Sequence, residues 1–351
     1  MILALVAAAL AWGELGPEAA PTGRTIDPWA VLSRAPPPWH DKPLLAEPEV
    51  REVAASAAAW LRAWPEDPAS APGLLGELGY TREALIDGLD RVAAACDATL
   101  RDPAFYDAWF DWLAWTPDAT AAAAHGVAVD RGLRLTRYVV YEVRGAAERT
   151  ATFNTALYAV PDDDAGPDPS RLRYTRQQVI GGVYEAGGAA AGLARPLVWL
   201  TRDGVYQAIL QGTVSVTTAD GRHLYNVHKS NGIPYDRAIR DPAAQPRYWY
   251  FREVPRLLGY TSGDRPAVAI APRVTVAGDV YNLGLGRLVL LDTGPELRLV
   301  VLADTGGAFQ PNLYQLDWMA GVYPDRAALD AATAHVPERV AAGVLVPRRA
   351  P

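Results

Sequence analysis

The chain has 351 residues, of which 50% are hydrophobic and 21% charged, and its formal net charge is −7. A chain of this length has room for two domains with a substantial core. Lysine and arginine are not clustered, so the composition argues against a nucleic acid as partner, whereas a mild negative charge is compatible with a neutral glycan. The single cysteine, Cys96, excludes an internal disulfide framework.

The N-terminal segment 1–13 is a short apolar run that ends in Ala9-Leu10-Ala11, a cleavage site of the Ala-x-Ala type. The run is too short to span a bilayer, so it predicts a secretory signal peptide, although basic residues are missing before it. A buried N-terminal segment is the alternative. No cysteine follows the run, so the sequence gives no support for a lipid anchor. The proline-rich segment 14–48 predicts a linker, or an extended arm wrapped on the surface.

Three helices are predicted between residues 49 and 115. Apolar residues recur at helical spacing in the first, Thr81 caps the second, and Asp102 followed by Pro103 begins the third. Their apolar positions are Val50, Val53, Ala57, Trp60, Leu61 and Trp64, then Leu85, Leu89, Val92 and Cys96, then Phe105, Trp109, Trp112 and Leu113. We interpret the aromatic residues as helix core rather than a sugar platform, and Cys96 as core rather than a nucleophile.

After Gly132 the pattern changes to short strands, predicted at 135–143, 156–160, 205–210 and 213–217. Asp220-Gly221 indicates a hairpin turn, and a last helix is predicted from Asp325 to about His335. Helices followed by many strands indicate a mostly β architecture with N-terminal helices, of the α+β class.

An acidic run, Asp162-Asp163-Asp164, lies among turn residues of the strand-rich part. The sequence lacks a glutamate at the spacing of an EF-hand, so we interpret the run as a solvated loop rather than a calcium site. The five histidines also show no spacing typical of metal ligands, and no dinucleotide or phosphate-binding loop is present. We therefore expect neither a metal nor a cofactor.

Two carboxylates follow buried segments in the C-terminal third of the chain. Asp304 ends the apolar run 300–303, and Asp317 stands between Leu316 and Trp318. Apolar neighbours and a second carboxylate both raise the pKa of an acid, which lets it donate a proton near neutral pH. The alternative is that both aspartates cap turns at the rim of a sheet.

The segment Asp-Thr-Gly-Gly-Ala at 304–308, with the Leu-Asp-Trp step at 316–318, resembles the three-aspartate signature of the MltA family of membrane-bound lytic murein transglycosylases. Further matches occur upstream in the family's order, and together they cover roughly 135–321. These matches are 135–139, 157–161, 174–176, 198–200, 209–213 with 220–222, 230–235, and 246–253.

The sequence also departs from the family pattern. Arg137 and Val139 replace a glycine and a tyrosine, and the segment 235–246 is shorter. Ala271 stands where the family has its first signature aspartate, and Asp279 and Asp292 are the candidates to compensate. The loop between the two remaining signature aspartates is slightly longer than usual.

The resemblance implies a double-psi β-barrel with an inserted second small β-barrel domain, and a groove between them that holds a glycan strand. Accordingly, the helical N-terminal part of the barrel domain is expected at 49–140, the inserted domain at 141–240, and the C-terminal part of the barrel domain at 241–345. Concave sites between domains are common places for ligands.

The resemblance further implies a single acid, assigned to Asp317, that protonates the glycosidic oxygen and then accepts the proton of the C6 hydroxyl of N-acetylmuramic acid. Leu316 and Trp318 would desolvate Asp317, and the Asp304 carboxylate would raise its pKa further. Asp304 is assigned an electrostatic role, with the backbone of Gly306 and Gly307 approaching the sugar.

Candidate substrate-binding residues from the matched motifs are Thr136, Tyr138, Gln211, Asn231 and Trp318. Alternatively, Tyr138 belongs to the barrel core and Gln211 is a satisfied buried amide. Trp249 is a further candidate for stacking on a sugar, with a core position as its alternative.

The leading hypothesis is an exported peptidoglycan lytic transglycosylase of the bacterial periplasm or cell envelope, without a transmembrane span. It would cleave murein glycan strands to 1,6-anhydro ends, with other cell-wall enzymes as further candidate partners. The second hypothesis is a weak or inactive relative that binds murein or scaffolds wall enzymes, and the third is a glycan hydrolase on the same barrel.

Overall fold

The computed structural model describes residues 26–130, 132–236, 238–263, 265–306, 309 and 312–348. The predicted signal peptide and Gly307 lie outside the described residues. The chain divides into two compact units: the larger contains 26–138, Leu258–Gly321 and 329–348, and the smaller contains Val139–Leu257 and Val322–Ala328. Across the described ranges, no helix combines the length and hydrophobicity that crossing a membrane requires.

The structure is a mixture of helices and strands. The α-helices in the described residues are α1 (Pro28–Val31), α2 (Val50–Ala63), α3 (Leu74–Glu77), α4 (Arg82–Ala94), α5 (Pro103–Trp109), α6 (Ala119–Ala124), α7 (Arg176–Ile180), α8 (Arg202–Gln211) and α9 (Arg326–Thr333). The strands are β1 (Leu32–Arg34), β2 (Leu44–Leu45), β3 (Phe110–Trp115), β4 (Leu133–Arg144), β5 (Thr155–Tyr158), β6 (Pro196–Leu200), β7 (Thr213–Thr218), β8 (Gly221–Ser230), β9 (Trp249–Val254), β10 (Thr275–Ala277), β11 (Arg287–Asp292), β12 (Leu297–Asp304), β13 (Gln315–Tyr323) and β14 (Arg339–Pro347). Helices α7 and α8 lie in the middle of the chain, so the fold is mixed α/β rather than mostly β with N-terminal helices.

The predicted helix starts are confirmed by their caps. The Thr81 hydroxyl accepts the backbone N–H of Ala84 at the start of α4. Asp102 does the same for Ala104, with Pro103 in the first helical turn of α5. These side chains satisfy backbone donors that a helix leaves unpaired at its first turn. The predicted last helix is confirmed as α9.

Two predicted elements are wrong. The third helix was expected to continue through Trp112, but α5 ends at Trp109 and 110–115 form β3, which pairs with β1 and β14. The segment 205–210 was expected to be a strand and is the body of α8. Thr201 caps this helix and Gly212 ends it at φ 75°, so the terminal signals outweigh the β-branched and aromatic composition between them.

Cys96 is not a core residue. Helix α4 ends two residues before it, so the helical spacing no longer applies, and its side chain is exposed. The thiol lies 3.1 Å from the Thr99 hydroxyl, and this hydrogen bond lowers the pKa of Cys96.

In the larger unit, six strands close into a ring. Their order is β14-β11-β12-β10-β13-β4, and β4 pairs back with β14 through Val340–Leu133 and Arg339–Arg134. Strand β3 extends the sheet from β14, and β1 extends it from β3. The described part of the proline-rich arm belongs to this unit: β1 lies in the sheet, β2 pairs with β12, and Trp39 is buried.

In the smaller unit, β4 continues from Val139 and pairs in parallel with β7. Strands β7 and β8 form the predicted hairpin at Asp220-Gly221, and β9 pairs with β8. Strands β5 and β6 form a separate two-stranded sheet. The core of this unit is rich in tyrosine, with a hydrogen bond of 2.6 Å between the hydroxyls of Tyr184 and Tyr250.

The acidic loop of the smaller unit is paired rather than simply solvated. Asp163 accepts hydrogen bonds from the backbone and hydroxyl of Ser170, both at 2.9 Å. Asp164 pairs with Arg171 and with Lys229. These contacts attach the loop to strand β8, which carries Lys229.

Candidate active site

Asp304 and Asp317 lie on either side of one short strand in the larger unit. Strand β10 pairs with β12 on one side and β13 on the other, and Ala277 is the register partner of both aspartates. Directly opposed residues on neighbouring strands project from the same face of a sheet. Neighbouring strands are about 4.8 Å apart, so the two aspartates lie two strand spacings apart with a methyl group between them.

A bulge puts Asp304 on this face. The partner of Val276 is Leu302, but the partner of Ala277 is Asp304, so Ala303 is the additional residue of β12. Successive residues in a strand alternate between faces, and a bulge reverses that alternation beyond it. Without the bulge, Asp304 would share the face of Leu302, opposite to Asp317.

The Asp304 carboxyl is fully buried and hydrogen-bonded. Its Oδ2 accepts the Tyr138 hydroxyl at 2.9 Å, and its Oδ1 accepts the Thr305 N–H at 2.9 Å. Burial raises its pKa well above the ordinary range, the two hydrogen bonds oppose that rise, and the Asp317 charge adds to it. Burial therefore favours the protonated form of Asp304.

Asp317 is 8% exposed, and its Oδ1 has no hydrogen-bond partner among the described residues. Burial raises the pKa of Asp317 to about 7, against the opposing effects of a hydrogen bond from Thr136 and the charge of Arg134. A carboxyl with this pKa exchanges a proton readily near neutral pH.

The cause of the raised Asp317 pKa differs from the expectation in two respects. Leu316 and Trp318 are adjacent to Asp317 in β13 and point to the opposite face, so they do not cover its carboxyl. The Asp304 charge is not among the causes of this rise either. Burial of the carboxyl in the ring of strands raises the pKa.

Strand β4 contributes the polar residues beside the two carboxyls. Arg134, Thr136 and Tyr138 alternate along it and so share one face. Tyr138 reaches Asp304, and Thr136 reaches Asp317. Gln315, two residues before Asp317 on β13, donates to the Thr136 hydroxyl at 3.1 Å.

The turn after Asp304 is fixed by backbone contacts. The Thr305 hydroxyl donates to the Gly278 carbonyl at 2.7 Å, and the Gly278 N–H donates to the Asp304 carbonyl at 3.1 Å. Gly306 is half-buried and its carbonyl accepts the Phe309 N–H. These bonds hold the beginning of the turn close to β10.

Neither acid proposed to replace the missing signature aspartate is free to do so. The Asp279 carboxyl accepts the N–H groups of Tyr281, Asn282 and Asn312 and the Asn282 side chain. Asp292 pairs with Lys42 at 2.7 Å. Both carboxyls hold turns or strand ends, which gives each of them a structural role.

The structure also assigns structural positions to two candidate substrate-binding residues. Asn231 is 1% exposed; its side-chain nitrogen donates to the carbonyls of Tyr174 and Pro246, and its oxygen accepts the N–H groups of Tyr248 and Ile233. No hydrogen-bonding capacity remains for a sugar. Trp318 is buried at 3% exposure on the face opposite to Asp317, so it is a core residue.

The other aromatic and amide candidates lie in the smaller unit. Trp249 is 1% exposed, with the Arg247 guanidinium 4.4 Å from its ring centroid, so the core alternative is correct. Gln211 is half-buried at the last residue of α8.

Sequence reasoning missed Arg134, Gln315 and Ala277. Once β4 and β13 are recognised as strands, a period of two from Thr136 and Asp317 points to Arg134 and Gln315. Ala277 had no such signal, because its importance depends on a pairing between distant segments. In the described residues, no cluster of histidine, cysteine, aspartate and glutamate could hold a metal ion.

The fold is similar to that of solved lytic murein transglycosylases of the MltA type. The MltA structure from Neisseria gonorrhoeae is similar at a TM-score of 0.59 and 14% identity, over 98% of each chain. A membrane-bound lytic murein transglycosylase from Agrobacterium tumefaciens is similar at 0.58 and 15%, over 91% of this chain and 98% of that one. Escherichia coli MltA with bound chitohexaose is similar at 0.55 and 16%, over 92% and 94%.

No protein-family model and no curated protein matches this sequence. The similarity to the solved structures confirms the resemblance seen in the motifs at the level of the fold.

Proposed function

We propose that this protein is a peptidoglycan lytic transglycosylase that uses Asp317 as its only acid. The observation that carries the proposal is the buried, unpartnered Asp317 Oδ1, whose carboxyl has a pKa raised to about 7. Its presence in a fold shared with murein transglycosylases supports this choice of substrate, as does the chitohexaose bound by one structural neighbour.

The reaction proceeds in two proton transfers through Asp317. The neutral carboxyl first donates its proton to the glycosidic oxygen as the bond from that oxygen to C1 of N-acetylmuramic acid breaks. The carboxylate then accepts the proton of the C6 hydroxyl while O6 forms a bond to C1. Water is not consumed, the product carries a 1,6-anhydro end, and Asp317 regains its starting proton. Intramolecular attack has an effective concentration on the order of 10⁵ M, so a second carboxylate is less necessary.

Asp304 has a positioning role in this scheme. Its hydrogen bond holds the Tyr138 hydroxyl beside the two carboxyls, and its raised pKa disfavours a second negative charge when Asp317 is ionised. Thr136 and Tyr138 lie on the strand face nearest Asp317 and are the favoured sugar contacts, with Gly306, Gly307 and Gln211 as further candidates.

We also propose that the closed ring of six strands is a double-psi β-barrel and that the strands of the smaller unit form an inserted barrel domain. The ring order supports the first part. An enzyme acting on murein would be exported to the periplasm or cell envelope, where other cell-wall enzymes are further candidate partners.

A second candidate function is binding of murein without turnover. It is favoured by Ala271, which provides no carboxyl at the first signature position. Asp279 is hydrogen-bonded to Asn282 and Asp292 is paired with Lys42, so both have structural partners. A protein with this fold could then serve as a scaffold for wall enzymes.

The test is digestion of purified murein sacculi, with products identified by mass spectrometry. Wild-type protein should release 1,6-anhydro products, and Asp317→Asn should reduce their rate by 10³-fold or more, as an order-of-magnitude estimate for loss of an essential acid. Asp41→Asn, at an exposed aspartate of the arm, is the matched control and should retain the wild-type rate.

Other products would decide against the leading proposal. Reducing ends instead of anhydro ends would identify a hydrolase. Sedimentation of the protein with sacculi without any products would identify the binding function. Undiminished anhydro products from Asp317→Asn would show that another group is the acid.

A further inference from the structure

A chain of hydrogen bonds leads to Asp317 within the larger unit. Arg134 Nη1 donates to Gln315 Oε1 at 3.4 Å, and Gln315 Nε2 donates to Thr136 Oγ1 at 3.1 Å. The Thr136 hydroxyl donates to the Leu316 carbonyl oxygen at 3.3 Å, and its proximity to the Asp317 carboxyl lowers the pKa of Asp317. Gln315 is buried at 6% exposure, so the amide at the centre of this chain has little exchange with solvent.

Arg134 determines the direction of the whole chain. A guanidinium has only donors, so Gln315 must turn its oxygen toward Arg134 and its nitrogen toward Thr136. The Thr136 oxygen then accepts on that side, and its single hydrogen must point away from Gln315. Only the Leu316 carbonyl and the Asp317 carboxyl are described as acceptors there.

The relative strength of the two acceptors depends on whether Asp317 is ionised. A hydrogen bond to an ionised carboxylate is about twice as strong as one to a neutral carbonyl. An ionised Asp317 would therefore compete with the Leu316 carbonyl for the Thr136 hydrogen, which would then turn from Leu316 to Asp317. This rotation breaks no covalent bond.

We propose that Arg134 and Gln315 are positioning residues that direct the Thr136 hydrogen onto Asp317 when this carboxyl has given up its proton. The inference rests on the proposed function, in which that ionised state follows protonation of the glycosidic oxygen. The chain stabilises the carboxylate that must next act as base.

The other ionisable groups around Asp317 do not supply this donor. Tyr138 on β4 gives its hydrogen bond to Asp304 on β12. Strand β10 places Ala277 opposite Asp317. The positive charge of Arg134 acts in the same direction as the Thr136 hydrogen bond, because both lower the pKa of Asp317.

The test is the titration midpoint of Asp317, measured by carboxyl-carbon NMR and assigned with Asp317→Asn. Gln315→Glu keeps the size of the side chain and its pairing with Arg134, but its carboxylate accepts the Thr136 hydrogen instead of supplying one. The midpoint of Asp317 should rise by on the order of one pH unit. Gln315→Leu removes the donor without adding charge and should raise it by less.

Variants of Arg134 separate its effect on the direction of the hydrogen-bond chain from its effect on packing. Arg134→Lys keeps a donor and a positive charge and should leave the midpoint near that of wild type, whereas Arg134→Met should raise it. Gln207→Glu, at an exposed position of α8 in the smaller unit, is the control for an added negative charge and should leave the midpoint unchanged.

Unchanged midpoints in Arg134→Met and in whichever Gln315 variant folds would overturn the inference. The midpoint requires no turnover, so the result is independent of the murein assay. Raised midpoints without murein products would support the hydrogen-bond chain and reject the enzymatic proposal. Anhydro products with unchanged midpoints would reject the chain alone.

Discussion

At the residue scale, the two signature aspartates have different environments although they face the same alanine. Asp304 has no exposed surface and both oxygens are hydrogen-bonded, whereas Asp317 retains 8% exposure and one oxygen without a hydrogen-bond partner among the described residues. Burial raises the pKa of Asp304 well above its ordinary value and that of Asp317 to about 7. Two chemically identical side chains thereby obtain different roles from burial and hydrogen bonding.

The raised pKa of Asp317 predicts a stability change with pH. A folded-state pKa of about 7, against an ordinary value of 3.8, means that the folded chain binds the proton more tightly than the unfolded chain. The associated stability is present below about pH 4 and is lost as pH rises toward 7. Asp317→Asn should therefore be more stable than wild type at about pH 8, by about 2–4 kcal/mol, and similar to it below about pH 4.

Urea unfolding at several pH values measures this difference. Asp41→Asn should leave the pH dependence of the unfolding free energy unchanged. An Asp317→Asn curve that parallels the wild-type curve would show that Asp317 does not titrate in this range. Some slope should remain in the variant, because Asp304 also has a raised pKa.

The sequence identified both aspartates but not the reason for their pKa values. Leu316 and Trp318 are apolar neighbours in sequence, yet strand geometry points them away from Asp317. The face that covers the carboxyl is built from β4, β10 and β12, which are separated from it by up to nearly two hundred residues. Desolvation at this site depends on pairing between strands, which local sequence does not encode.

At the scale of elements, strand β14 connects the parts of the larger unit. It pairs with β3, β11 and β4, and its pairing with β4 completes the ring that holds the two carboxyls. Gly343 allows β3 to approach: a Cβ there would lie 2.4 Å from a Trp112 ring carbon and 2.5 Å from the Leu113 carbonyl oxygen. The Leu113 backbone and the Trp112 ring cannot both move away without destabilising the strand pair.

Gly343→Ala should destabilise the protein by about 2 kcal/mol or more, because it overpacks a buried strand pair. Thermal unfolding monitored by tryptophan fluorescence measures the change. Ala341→Val adds two methyl groups at an exposed position of the same strand and should leave the midpoint within about 1 °C. Equal midpoints for Gly343→Ala and wild type would mean that β3 is not held this closely.

Sequence patterns located elements with strong end signals and failed where pairing decided the structure. The caps Thr81 and Asp102 gave the starts of α4 and α5 correctly. The aromatic segment 110–115 suits either a helix or a strand, and only its partners β1 and β14 make it a strand. For α8, the cap Thr201 and the terminal Gly212 indicate a helix, whereas the β-branched and aromatic residues between them favour a strand.

At the scale of the whole molecule, the charge distribution fits an uncharged ligand. The net charge is −7, and Arg134, which lies near Asp317, is bonded to Gln315. Because an N-acetylglucosamine oligosaccharide is uncharged, its binding should rely on hydrogen bonds and apolar contacts. Its affinity should change less than about twofold between about 50 and about 300 mM salt.

Isothermal titration calorimetry at both salt concentrations checks this expectation. A polyanion ligand would instead lose several orders of magnitude in affinity, because released counterions drive its binding. If the affinity for the neutral oligosaccharide fell steeply with salt, the expectation of binding without charge attraction would be wrong.

The additional residue of β12 limits how such a site can change. Positions along a strand come in steps of about 3.3 Å, and each single step reverses the face on which a side chain projects. Sliding β12 against β10 by one residue would therefore remove Asp304 from Asp317 altogether, while a slide of two would carry it about 6.6 Å away. Ladders on both sides of β10 resist either movement. Sequence changes at this site can therefore exchange the side chains at existing positions. The distance between the two acids can change only in steps of whole residues.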